Sequence, residues 1–260
     1  SCLFGAAPSP PALTRRRPPS SLGAPMAATE WGLGSNCGLS GYGDAEFWEQ
    51  KYSEEATTSD WLLGWEAVAD VFCRHVAQGE PCRILHPGCG NSVMAESMYD
   101  AGFRDVLSTD CSEAVIEQMA KRATGQQGSR PGLRWAVMDA TAMDFPDESF
   151  DVVVEKGLLD ALLCGESRVP AALYAKEVFR VLRAGGVLFL VSFSCRRSFL
   201  ELGPWGFEIL EACEVSWHGK PYHVCVCRKA QATAALLAEW PCTLGMLSRG
   251  VAPEDARATE

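Results

Sequence analysis

The stretch CRILHPGCG, residues 82–90, restricts the possible folds of this chain most: a short apolar strand runs straight into two glycines. Glycines at the end of a strand let backbone approach a ligand closely, and a helix that starts there offers free amides and positive potential. Such a helix is expected from about Ser92 to Ala101, followed by the strand DVLSTD, which Asp110 closes. Strand, glycine turn, helix and strand form a βαβ unit. The alternation continues through a helix near 113–122, strands LRWAVMD (133–139) and FDVVVEK (150–156), a helix near 171–182 and strand GVLFLVSF (186–193). Strands alternating with helices predict a mainly parallel sheet covered on both faces. GFEILEACEVSW and YHVCVCRK, separated by His218-Gly219-Lys220-Pro221, predict an antiparallel hairpin. The expected fold is α/β, a Rossmann-like, doubly wound seven-stranded sheet with a C-terminal antiparallel hairpin.

Two amphipathic stretches precede this core. DAEFWEQKY (44–52) places Phe47, Trp48 and Tyr52 at near-helical spacing, and Trp61 to Ala77 follows Ser59-Asp60, which carry cap chemistry. Residues 1–29 contain three arginines, no acid and no hydrophobic periodicity, so they cannot offset the entropy of ordering. They read as a disordered artefact or plain tail, with Met26 as a possible start, or else as an organellar transit peptide. The expected organisation is a leader (1–35), a core domain (36–230) opening with lid helices (36–80), and a C-terminal helix and tail (231–260) that includes a short helix from Ala230 to Glu239.

The net charge is −10, and about −13 once the three leader arginines are set aside. An acidic body disfavours nucleic acid, whose non-specific binding rests on phosphate neutralisation, and suits a basic partner. The longest apolar run, Val187 to Phe193, is of buried-strand length, so no membrane span is expected. Twelve cysteines lie scattered through apolar segments without a CxxC pair, which predicts reduced, mostly buried thiols and no metal site.

Asp110 lies twenty residues beyond Gly90 at a strand tip, where a carboxylate can accept both ribose hydroxyls of a nucleoside. The third glycine of the dinucleotide fingerprint is missing, since Asn91-Ser92-Val93 follows Gly90. A ligand without a pyrophosphate, S-adenosylmethionine, fits that turn better than NAD. Asp139, flanked by Met138 and Ala140, is placed for an adenine amino group. Each carboxylate alone reads equally well as a loop cap; together, at successive strand ends, they favour a ligand.

In EFWEQKY, SDWLLGW, ILHPGCGNS, STDCS, LRWAVMDA, DFPDESFDVVVEKGLLDALL and VFRVLRAGG, residues 36–228 resemble the small seven-strand lysine methyltransferases of elongation factor 1A, most closely the branch of the fourth member. That clade also holds a double-domain methyltransferase and a citrate-synthase methyltransferase. The resemblance implies S-adenosylmethionine contacts from Trp48, Tyr52, Trp61, Gly88, Gly90, Asp110, Cys111, Asp139, Ala140 and Lys156. The residues alone also read Trp48 and Trp61 as core packing. One departure stands out: His86 occupies the position, two before the first glycine, where many methyltransferases carry an acid.

The segment after the fourth strand, Glu155-Lys156-Gly157-Leu-Leu-Asp160, lacks the Asn/Asp-Pro-Pro-aromatic sequence that grips planar amides. Glu155 and Asp160 are the candidates for receiving a target lysine, with Lys156 facing the cofactor; an i, i+4 pair of Asp160 and Lys156 is the structural alternative. Cys89 and Cys111 have no activating neighbour and read as passive packing. The resemblance implies a protein-lysine methyltransferase acting on elongation factor 1A or a similar protein, expected to be cytoplasmic and monomeric. A mitochondrial or plastid site applies if the leader targets. A small-molecule thiol or amine methyltransferase and a non-catalytic cofactor-binding scaffold are the rivals.

Overall fold

A computed structural model describes residues 41–54, 60–125, 130–165, 167–194 and 206–230. The leader, the helix expected at Ala230–Glu239 and the tail to 260 fall outside, or almost wholly outside, these residues. The described elements are α1 (Ala45–Glu54), α2 (Trp65–His75), β1 (Arg83–Pro87), α3 (Met94–Asp100), β2 (Asp105–Asp110), α4 (Glu113–Gly125) and β3 (Leu133–Val137). They continue with β4 (Phe150–Lys156), α5 (Leu158–Leu163), α6 (Val169–Val181), β5 (Leu182–Ser192), β6 (Phe207–Trp217) and β7 (Lys220–Lys229).

Seven strands form one sheet in the order β3-β2-β1-β4-β5-β7-β6. β3 to β5 run parallel, and β7 inserts antiparallel between β5 and β6, closing the sheet with the expected hairpin. Period-two side-chain alternation explains why both faces are covered. Ile84, Val106, Val152, Val154, Phe189 and Val191 enter one core with α2 and α3, centred on the fully buried Phe72. Leu85, Val153, Leu188 and Leu190 enter the other, against Leu159 of α5 and Tyr174 and Val178 of α6. α1 rests on α4 through Tyr52, Ile116 and Met119.

Three sequence expectations are corrected. The helix foreseen from Trp61 begins at Trp65, because Leu62 has φ 69, which no helix continues through; its N-cap is Gly64, not Ser59-Asp60. That helix buries Val68, Val71 and Phe72 against the sheet and so belongs to the core rather than to a lid. The segment after β4 contains a helix of its own, α5, turned off the strand by Gly157 at φ 83. Among the described residues, no helix is long and apolar enough to cross a membrane.

Candidate active site

The carboxyl ends of β1, β2 and β4 open into a cleft of about 580 Å³, within the range of cofactor sites. Its wall includes Trp48, Tyr52, Trp61, Gly88, Gly90 and Asp110. Cys111, Asp139, Ala140, Lys156 and Asp160 complete the expected residues found there. Gly88 and Gly90 have φ of +61 and +52, a left-handed conformation in which a side chain is strained. A Cβ on Gly90 would lie 2.6 Å from the Tyr52 hydroxyl. The turn thus lets α1 close down upon it.

Asp110 is 7% exposed, and its carboxylate accepts from Gly90 N at 2.9 Å and Ser112 N at 3.0 Å. Burial pushes its pKa up, and these backbone donors oppose the shift. Asp139 Oδ1 accepts from Thr141 N at 2.8 Å and Thr141 Oγ1 at 2.7 Å. The two readings of these acids coincide: each caps its loop, and the cap holds the carboxylate at the cleft wall. Arg122 fastens the turn from behind, donating to Asn91 O at 3.2 Å, Ser92 O at 2.8 Å and Glu96 Oε1.

Trp48 stacks on Tyr52 and Tyr42, with centroids 5.7 and 5.3 Å apart, and meets Trp61 edge-on at 6.0 Å. Its Nε1 donates to Tyr42 O at 2.9 Å. Tyr42 lies before the first expected helix and carries no periodicity, so only its aromatic character could have singled it out. Cys111 is exposed, but burial of its thiol and the Asp110 charge push the pKa to about 12, so it stays protonated.

The segment after β4 differs from expectation. Glu155, proposed above to receive an acceptor, is 0% exposed and does not line the cleft; its Oε1 accepts from Leu159 N at 2.8 Å at the start of α5. Strand alternation is the reason, since Glu155 and Lys156 must point to opposite faces. The Lys156–Asp160 helix pair does not form, because Lys156 ends a strand. Lys156 Nζ instead donates to Asp60 Oδ1 at 3.1 Å and Trp61 O at 2.8 Å. Asp160 lines the cleft and accepts from Ser192 Oγ at 2.7 Å and Phe193 N at 3.0 Å, fixing the end of β5.

His86 is 1% exposed, and neither ring nitrogen has a hydrogen-bond partner among the described residues. Burial first, then the nearby Lys156 ammonium, lowers its pKa to about 3. The unfolded chain, with an ordinary imidazole near pKa 6.5, binds the proton more readily. Stability therefore falls as the pH drops from about 6.5 toward 3. His86→Leu is expected to flatten this part of the acid limb of urea midpoint against pH; an unchanged limb would argue against a buried neutral ring.

Residues 85–190 match the family model described as a methyltransferase domain. The eEF1A lysine and N-terminal methyltransferase of Mus musculus is 36% identical over 156 residues, 58% of this chain and 22% of the relative. EEF1A lysine methyltransferase 4 of Mus musculus is 40% identical over 130 residues, 48% of each chain. The chain thus spans about half the length of one relative and about a fifth of the other. The N-methyltransferase NodS of Bradyrhizobium japonicum WM9, in complex with S-adenosyl-L-homocysteine, shares the fold at 16% identity and a TM-score of 0.54, over 70% of this chain and 98% of its own. The residues so matched contain the glycine turn, both carboxylate-bearing strand ends and β4 with Lys156.

Proposed function

We propose that this protein is an S-adenosylmethionine-dependent methyltransferase whose acceptor is a lysine of another protein. The observation that carries the reading is the charge of the cleft wall. Among the described residues, Asp44, Asp110, Asp139 and Asp160 line it, against one cation, Lys156, which Asp60 already pairs. Such a wall favours positively charged guests and opposes phosphates.

The residues fit the cofactor. Two left-handed glycines bring backbone to the cleft, where Asp110 would take the ribose hydroxyls and Met138, Asp139 and Ala140 would hold the adenine. Trp48, Tyr52 and Trp61 form an aromatic wall that would exclude water beside a cationic ligand. When bound, the cofactor would supply a methyl group on a cationic sulfur, with a neutral thioether as the leaving group. The chain itself contributes proximity and electrostatic shape. An acceptor lysine must first lose its proton, at a cost of roughly 4–5 kcal/mol at pH 7. Apolar wall residues Leu62, Leu163, Pro170 and Phe193 lower that cost by desolvation, while Asp160 and Asp44 draw the ammonium in.

Relatives named for eEF1A make elongation factor 1A the first acceptor to test. On the family resemblance, the protein acts as a monomer in the cytoplasm. Purified protein with tritiated S-adenosylmethionine is expected to label a protein band in an extract from cells lacking this gene, and mass spectrometry should place the methyl on lysine. Label confined to small solutes would make it a small-molecule enzyme. Cofactor binding without any label would make it a scaffold.

A further inference from the structure

Residues 60–64 lead into α2 as a strap, whose Trp61 and Leu62 line the cleft and whose Trp61 joins the aromatic wall. Resting on the cofactor reading above, we infer that Asp60 is a positioning residue: it clasps the strap to the glycine-turn helix and to β4, and so sets the wall against which the cofactor packs.

Two hydrogen bonds meet at Asp60. Its Oδ1 accepts from Lys156 Nζ at 3.1 Å and from Ser92 Oγ. Ser92 Oγ in turn accepts from Met94 N at 3.0 Å, in the first turn of α3. Lys156 Nζ also donates to Trp61 O at 2.8 Å, so one ammonium holds two successive strap residues. The next residue, Leu62, is held at φ 69, a conformation that a non-glycine residue keeps only where its surroundings enforce it. Its side chain lies over Gly157, where an added Cβ would come within 3.2 Å of Leu62 Cδ1. Trp61 then meets Trp48 and Tyr42 at 6.0 and 6.1 Å.

The charge balance makes Asp60 the decisive member. The Lys156 side chain is 3% exposed, and burial lowers its pKa against the opposing pull of Asp60. Asp60, 26% exposed, tethers that charge to the strap. Asparagine in its place keeps the shape but removes the charge, which weakens the hold on both Lys156 and Ser92.

The test uses Asp60→Asn, Ser92→Ala and the conservative Asp60→Glu. Hydrogen exchange of the ligand-free protein should show faster exchange at 61–64 in Asp60→Asn, while α6 and β4 stay protected. S-adenosylhomocysteine binding should weaken by roughly ten-fold, the scale of one charge-assisted hydrogen bond. KM for the donor should rise more than kcat falls, and Asp60→Glu should recover part of both effects. Unchanged exchange at 61–64 in a folded Asp60→Asn protein would overturn the inference. If that variant does not fold, Ser92→Ala, which leaves the ion pair intact, gives the same reading: faster exchange supports the clasp and unchanged exchange rejects it. Wild-type protein that binds no S-adenosylhomocysteine would defeat the cofactor reading instead, and the exchange result would still judge the clasp.

Discussion

Asp110→Ala is expected to weaken S-adenosylhomocysteine binding by at least ~100-fold, as measured by calorimetry. Two charge-assisted hydrogen bonds to ribose hydroxyls, at roughly 1.5–3 kcal/mol each, set that scale. The carboxylate is already oriented by Gly90 N at 2.9 Å and Ser112 N at 3.0 Å, so little reorganisation accompanies binding. Its removal also loosens the turn, because Gly90 N loses its acceptor in a buried place. Asp110→Asn keeps the shape and one acceptor oxygen and should show a smaller loss. Equal affinities for wild type and Asp110→Ala would place the nucleoside elsewhere.

Gly90→Ala should be the next most damaging change, costing ~2–5 kcal/mol of stability together with a large loss of cofactor affinity. A left-handed alanine is strained by about 1–2 kcal/mol, and overpacking adds about 1–3 kcal/mol. The source of that overpacking is specific: the new methyl would lie 2.6 Å from the Tyr52 hydroxyl, on a ring only 3% exposed. Adding Tyr52→Phe removes the clashing oxygen and should restore part of the melting temperature, while the backbone strain persists. No recovery in the double variant would show that α1 does not close on the turn.

Most of the fold was legible because sheet and helices bury both faces, so apolar strands and amphipathic helices alternate visibly along the chain. The glycine turn and the acidic tips of β2 and of the loop after β3 were legible for the same reason: strand ends are where ligands gather. Shorter signals failed. The six residues of α5, LLDALL, complete less than two turns and show no resolvable period. Ser59-Asp60 before an apolar run looked like a cap, whereas Asp60 pairs with Lys156, 96 residues away, a partner that local pattern cannot reveal. Glu155 looked available because it adjoins Lys156, yet strand alternation sends it into the opposite core beside α5. His86, a departure from the usual acid in sequence, is a neutral buried ring in the structure.

The most direct measurement is calorimetric titration of the purified protein with S-adenosylmethionine, S-adenosylhomocysteine and NAD. Saturable one-site binding of the first two, with no heat from NAD, is the expected result. Silence from both sulfur nucleosides, with clear binding of the dinucleotide, would contradict the assignment of the cleft.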